Sequence, residues 1–184
     1  MSAQAAPRTV RSALIAMVLA MVAILGGTTA AQAQKPTAVE FTYHWETGSD
    51  AIVVQQLGHL SDRWALSTVI RNWNAAPGLN VHRGQCADFP NQHCVKVSGY
   101  NDTAEGAAVG YTTIVGGTEQ PTYIYLNKAY WGWSSVDSHA VTCHEFGHAV
   151  GFEHDERSGC TSQANRQAPS QWELTRASRG YQSV

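Results

Sequence analysis

Basic residues are sparse in this chain and form no cluster. Twelve lysines and arginines are spread over 184 residues, against 14 aspartates and glutamates. Proteins that bind nucleic acid through its phosphates present a basic patch or stripe, so this composition argues against a nucleic-acid partner. Internal repeats and low-complexity tracts are also lacking after the first 33 residues. The length of the chain therefore suits one domain with a modest core.

The chain also lacks an apolar run long enough to cross a bilayer. Its longest apolar stretch, Ala13 to Leu25, is shorter than the roughly 20 residues that a spanning helix needs. Two arginines precede this stretch, and Ala31-Gln32-Ala33 follows it, which is the order of a signal peptide cut before Gln34. We expect residues 1–33 to be a signal peptide and residues 34–184 to be a secreted, extracellular domain without stable membrane association.

The most informative segment is His144 to Asp155, which reads H-E-x-x-H-x-x-G-x-x-H-D. On a helix, residues i and i+4 project from the same face, so His144 and His148 can reach one metal ion. Gly151 can adopt the left-handed conformation that ends a helix, which lets His154 supply a third nitrogen. Three protein ligands leave the fourth tetrahedral position open, as is typical of a catalytic zinc site.

Glu145 follows the first histidine of the motif. It is displaced around the helix from the ligand pair, so it cannot easily be a third ligand. It is well placed to hold a water beside the metal and to take its proton. The sequence therefore predicts Glu145 as a general base.

The motif resembles that of the metzincin zinc endopeptidases, and the chain is most similar to their matrixin-like secreted group. The resemblance is strongest over the motif itself and covers the rest of the exported chain more loosely. It implies that His144, His148 and His154 are zinc ligands and that Glu145 is the general base. Secreted neutral proteases of a related type use aspartate as the third ligand, so Asp155 is the alternative to His154. The spacing favours His154.

The resemblance also implies a fold and a peptide-binding strand. The fold is α+β: a metzincin-like zincin domain with a mixed twisted sheet, a backing helix, an active-site helix and a small C-terminal subdomain ending in a helix. In the family an edge strand pairs with extended substrate, and Gly110, Tyr111 and Thr112 resemble that strand. Adding a strand to a sheet edge is a general way to hold a peptide.

The chain departs from the family pattern in its methionines. Metzincins are named for a methionine in a turn beneath the zinc, whereas every methionine here lies in the first 21 residues. Thr161 stands where that methionine is expected. The methionine is not a ligand, so its replacement bears on the packing under the metal rather than on metal binding itself.

Four cysteines lie in the exported part of the chain, an even number that predicts two disulfides. Three pairings are possible. We favour the two local ones, Cys86 with Cys94 and Cys143 with Cys160. The second would tie the active-site helix to the segment just after the third ligand.

Hydrophobic periodicity predicts the remaining elements. Ser61 is a plausible N-cap for a helix with an apolar stripe from Leu66 to Trp73. The segment Ala51 to Leu57 fits either a strand or a helix. The predicted strands are Val39 to Trp45, Leu79 to Arg83, Cys94 to Tyr100, Ala108 to Val115 and Thr122 to Asn127, and the predicted later helices are Val136 to Val150, capped by Ser134 or Ser135, and one starting at the capping box Ser170 to Glu173.

The sequence thus predicts a secreted zinc metalloendopeptidase that acts as a monomer on peptide or protein substrates with one catalytic zinc ion. Two other functions stay open: a non-catalytic zinc-binding protein and a hydrolase of non-peptide amides on the same scaffold. The intact Glu145 argues against the first, and the peptide-pairing strand argues against the second. Asp102 and Glu105 allow an additional calcium ion, but two acids three residues apart are weak support for one.

Overall fold

The structure is a computed structural model that describes residues 50–114, 121–130, 134–154, 159–162 and 165–181. The chain divides into two units, Met1–Thr37 and Ala38–Val184, and all of the described residues belong to the second. The expected signal peptide, the expected strand Val39 to Trp45 and the alternative ligand Asp155 lie outside the described residues.

The described part is α+β, built on a five-stranded mixed sheet with the order β2-β1-β3-β5-β4. Strands β2, β1, β3 and β5 run parallel, and β4 pairs antiparallel with β5 at one edge. The strands are β1 (Ala51–Leu57), β2 (Asn80–Arg83), β3 (His93–Tyr100), β4 (Gly110–Ile114) and β5 (Thr122–Asn127).

Strand β1 resolves the segment whose pattern fitted either a strand or a helix. It is central in the sheet, paired on both sides, and its first four residues are all buried. A parallel strand covered on both faces reads as a continuous apolar run rather than as an alternation. That is why periodicity alone did not assign Ala51 to Leu57.

In the ranges described, three α-helices accompany the sheet: α1 (Leu66–Trp73), α2 (Ser135–Val150) and α3 (Gln171–Tyr181). The prediction that Ser61 caps the first of them was wrong, because Ser61 precedes a short 3-10 turn and makes no capping hydrogen bond. Helix α1 starts after Ala65, which has a left-handed conformation with φ of 50°. The 3-10 turn places Trp64 in the core, where it is 1% exposed. Burial of this large side chain outweighs the local capping preference of the serine.

The ends of α2 follow from local sequence. At its start the Ser134 hydroxyl accepts the N–H of Asp137 and donates to the Asp137 carboxylate, at 3.2 and 2.6 Å, in a reciprocal cap. At its end Gly151 has φ of 117°, and the N–H groups of Gly151 and Phe152 both donate to the carbonyl of Gly147. Since this left-handed residue ends the helix, the chain can turn back towards it.

The sheet and the three helices share one hydrophobic core. Ala177 and Tyr181 of α3 are buried in it, and the Tyr181 hydroxyl donates to the carbonyl of Val150 at 3.0 Å. The last helix is thereby attached to the end of α2. Within the described ranges, no helix combines the length and the apolar character needed to span a membrane.

Candidate metal centre

Three histidine side chains converge at the C-terminal end of α2. The Nε2 atoms of His144, His148 and His154 lie 3.0, 3.1 and 3.2 Å apart in the three pairings. His144 and His148 come from successive turns of the helix, and His154 reaches them after the turn at Gly151. Among the described residues, this is the one group of three or more potential ligands close enough to share an ion.

The hydrogen bonds of Nδ1 in His144 and His148 determine whether Nε2 of the same ring carries a proton or a lone pair. Nδ1 of His144 lies 3.0 Å from the carbonyl of Cys160, and Nδ1 of His148 lies 2.7 Å from the carbonyl of Phe152. A carbonyl oxygen only accepts hydrogen bonds, so each Nδ1 carries the proton. In the neutral ring Nε2 then presents a lone pair, which is the form of histidine that binds a metal.

The donor set fits zinc. Two Nε2 lone pairs facing each other at 3.1 Å cannot form a hydrogen bond, whereas a shared cation would attract both. Zinc–nitrogen bonds of about 2.0–2.1 Å in a tetrahedron separate the nitrogens by about 3.3 Å, close to the spacing found here. Burial also lowers the pKa of both His144 and His148, which favours the neutral ligand form.

Glu145 lies next to this group and is 7% exposed. The Thr112 hydroxyl lies 2.8 Å from its Oε2 and 2.9 Å from its backbone carbonyl, and the single hydroxyl proton serves one of them at a time. Burial raises the pKa of the Glu145 carboxyl, and the Thr112 hydrogen bond opposes that rise. A buried carboxylate with so little compensation in a cleft is typical of a functional group.

Strand β4 forms the wall opposite α2 and lies against it closely. A Cβ added at Gly110 would come within 2.7 Å of Val141 Cγ1 and 3.1 Å of Glu145 Cγ. Because glycine has no side chain, the strand can approach the helix near enough for Thr112 to reach Glu145. The other edge of β4 pairs with no strand among the described residues.

A buried turn supports the centre from the other end of the sequence. The Cys143–Cys160 disulfide joins α2 to this turn, and the Cys160 carbonyl holds the His144 ring. Thr161 is fully buried, and a Cβ at Gly147 would overlap its Cγ2 methyl. The residue that stands in the place of the expected methionine therefore packs directly against the helix that carries His144 and His148.

Glu173 holds this turn in place from α3. It is 0% exposed, and its carboxylate accepts six hydrogen bonds of 2.7 to 3.2 Å. The donors are the N–H groups of Gly159, Cys160, Thr161 and Ser170 and the hydroxyls of Thr161 and Ser170. The capping box expected at Ser170 thus also bridges to the turn that orients a histidine.

Two cavities flank the three histidines. One of about 620 Å³ opens between α2 and the start of β4, and His144 and Glu145 line it. Another of about 370 Å³ lies on the side of His148 and His154, against Thr112 and Ile114. The cleft therefore extends to both sides of the centre along β4.

The residues predicted from the sequence are distributed as follows. The structure brings together the three histidines, Glu145 and the strand residues Gly110 and Thr112, while Tyr111 points its side chain away, 41% exposed and stacked 4.8 Å from Tyr125. Both favoured disulfides are present. Asp102, one of the two acids considered for calcium, accepts a hydrogen bond from the N–H of Ala104 at 2.9 Å, as in a local turn. The presence of Asp102 is therefore explained by this turn.

The sequence reasoning missed three contributors to the site. These are the Thr112 contact with Glu145, the bridging role of Glu173, and the two carbonyls that select the histidine tautomers. The i, i+4 relation of His148 to Phe152 was a usable signal, because a backbone carbonyl just after a helix end is often free to accept. The contacts of Glu173 span 12 to 14 residues and left no such signal.

Comparison with known proteins adds a distant structural likeness. No family model matches the sequence, and no curated protein matches it. A solved structure of myroilysin aligns with a TM-score of 0.41 at 14% identity, over 56% of this chain and 48% of that one. The chain thus spans about half the length of that protein, and the proposed function rests on the geometry of the site.

Proposed function

We propose that this protein is a secreted zinc-dependent metalloendopeptidase of the metzincin type. The observation that carries the proposal is the convergence of three imidazole Nε2 atoms within 3.0 to 3.2 Å of one another, beside the buried Glu145 carboxylate. Backbone carbonyls fix two of these nitrogens as lone-pair donors. The set is therefore built to bind a cation with an acid–base group next to it.

The chemistry divides between the metal and the carboxylate. When bound, zinc supplies a Lewis acid for the scissile carbonyl and makes water acidic enough to lose a proton near neutral pH. Glu145 accepts the proton of the attacking water and delivers it to the nitrogen of the leaving amine. The peptide C–N bond breaks, and a carboxylic acid and an amine result. The Thr112 hydroxyl orients Glu145 by holding Oε2.

The edge strand supports a peptide as the substrate. Strand β4 is antiparallel to β5 and ends the sheet, so its second edge can pair with an extended chain. Gly110 and Thr112 of this strand approach Glu145, so a backbone paired with the strand would lie beside the proposed general base. This proximity favours peptide bonds over non-peptide amides.

Export is part of the proposal. Two disulfides form readily outside the cytosol, and they agree with the signal-peptide pattern of the first 33 residues. We propose that the secreted protein acts as a monomer on peptide or protein substrates.

The test is hydrolysis of an unfolded protein by the full chain, expressed through an export pathway and loaded with zinc. Wild type should cleave, and Glu145→Gln should lose about 10²- to 10⁴-fold in kcat while it keeps one bound zinc. Asp88→Asn, which makes the same carboxylate-to-amide change at an exposed residue before β3, is the control and should cleave like wild type.

Three results would contradict the proposal. Retained turnover by Glu145→Gln would remove Glu145 as the base. Absence of cleavage by wild type with one zinc bound would favour the zinc-binding protein, and cleavage confined to small non-peptide amides would favour the other hydrolase.

Loss of zinc from His154→Ala would assign His154 as the third ligand, whereas unchanged zinc content would redirect that assignment to Asp155.

A further inference from the structure

The lining of the larger cavity beside Glu145 changes from apolar to polar along its length. One wall is a single face of α2, where Asp137, Ala140, Val141 and His144 recur at helical spacing. The lining near the general base is aliphatic, formed by Ala140 and Val141 together with Val109 before β4. The lining becomes polar where Asp137 and the residues opposite it close the far end.

The polar end lies two helical turns from the metal centre. Asp137 precedes His144 by seven residues, which corresponds to about 10 Å along the helix axis. Asn165 and Ser162 line the same cavity, and Asn165 Nδ2 donates to Asp137 Oδ1. A substrate side chain that starts beside Glu145 must therefore be long to reach this end.

The Asp137 carboxylate carries a negative charge there. Hydrogen bonds from the Ser134 hydroxyl and from Asn165 hold the pKa of Asp137 below its usual value. Within the part of the chain that the structure describes, no lysine or arginine forms an ion pair with it. Each carboxylate oxygen accepts one described side-chain hydrogen bond and has capacity for another.

We propose that this cavity selects a lysine or arginine side chain next to the cleaved bond of a peptide substrate, with Asp137 as the specificity-determining residue. The aliphatic stem would lie between Val109, Ala140 and Val141, and the cationic head would meet Asp137 and the amide oxygen of Asn165. Lysine and arginine are the side chains that combine a long apolar stem with a positive end. The inference rests on the proposed peptidase function and adds the class of substrate.

The experiment has two arms, both with the zinc-loaded exported chain. In the first, an unfolded protein is digested and its new termini are mapped by mass spectrometry. Lysine and arginine should be enriched several-fold on one side of the cleaved bonds. In the second, kcat/KM is measured for a pair of peptides that differ only in lysine or norleucine at that position.

The variants separate charge from shape. Asp137→Asn should lower the lysine-to-norleucine ratio of kcat/KM about tenfold, and Asp137→Lys should favour glutamate over lysine at that position. Asp137→Glu keeps the charge and should retain the preference. Asp88→Asn removes an exposed carboxylate that does not line this cavity, and it should leave the lysine-to-norleucine ratio as in wild type.

Each outcome decides one point. Cleavage without basic enrichment, or an unchanged ratio in Asp137→Asn, would overturn this inference and leave the peptidase intact. No cleavage of any peptide by wild type would overturn the proposed function and this inference with it. Hydrolysis of the norleucine peptide and the circular dichroism spectrum show whether each variant is folded. If Asp137→Asn is misfolded, the lysine-to-norleucine ratio is compared between Asp137→Lys and Asp137→Glu instead.

Discussion

Two buried glutamates near the three histidines differ in how the protein satisfies them. Glu173 is fully buried and accepts six hydrogen bonds, whereas the described side-chain donor to Glu145 is the single hydroxyl of Thr112. A buried charge is costly unless hydrogen bonds compensate it. The acceptor capacity of Glu173 is used within the protein, whereas Glu145 lines the cavity with acceptor capacity left over, which the proposed function assigns to water and substrate.

The largest expected contrast is in stability. Glu173→Gln replaces one carboxylate oxygen by an NH₂ group that would face backbone N–H donors, so the free energy of unfolding should fall by about 2–4 kcal/mol. Glu145→Gln removes a poorly compensated buried charge and should change stability by less than about 0.5 kcal/mol or increase it. Urea unfolding of the metal-free proteins measures both, since bound zinc would mask the difference.

A similar loss of unfolding free energy in the two variants would contradict the proposed difference between Glu173 and Glu145. If Glu145→Gln were the more destabilised protein, Glu145 would have to be satisfied by more donors than the Thr112 hydroxyl. Wild type measured with and without a chelator provides the reference for the contribution of zinc binding to stability.

Removing each disulfide in turn distinguishes a loss of overall stability from a loss of local support for the metal centre. Cys143–Cys160 closes a loop of 17 residues beside His144, and Cys86–Cys94 closes one of 8 residues beside β3. Chain entropy predicts losses of about 3 and about 2.5 kcal/mol when each pair is changed to alanine, which are nearly equal. Zinc affinity should fall about tenfold or more only for the pair Cys143→Ala and Cys160→Ala, because the Cys160 carbonyl orients His144.

Competition with a fluorescent chelator measures the zinc affinity of both double variants. Equal losses of affinity would show that the metal centre senses overall stability alone. The alanine pair at Cys86 and Cys94 is the matched control, and its cysteines contact none of the three histidines among the described interactions.

The smallest expected effect tests the Thr112 hydroxyl, the side-chain donor to Glu145 among the described residues. Thr112→Val keeps the shape and removes the hydroxyl, so kcat should fall about five- to tenfold, which corresponds to about 1 kcal/mol. Thr113→Val alters the next residue of β4, whose side chain points to the opposite face of the sheet. That control should keep the wild-type kcat. An effect of Thr112→Val on KM alone would place its role in substrate binding.

Much of the site was predictable because it is encoded at short range. The histidines of α2 follow helical spacing, Gly151 ends the helix as expected, and Ser134 caps its start. The α+β class and an edge strand at Gly110 to Thr112 were implied by the family resemblance, and the structure has Gly110–Ile114 at the edge of a mixed sheet. Predictions failed or stayed open where burial overrode local rules, as at Ser61 before Trp64 and in the doubly covered strand β1.

The amino-acid pattern alone was enough to give the spacing of the three histidines and the place of Glu145 next to the first of them, and it favoured the two local disulfide pairs, because each depends on residues close along one helix or loop. The packing of separate elements was needed to show that the Thr112 hydroxyl bonds Glu145, that Glu173 bonds the turn carrying Cys160, and that Asp137 lines the larger cavity. Those contacts join β4, α2 and α3, and they depend on how separate elements pack. A linear pattern records periodicity along one element, whereas packing between elements is set by the shape and burial of the whole core.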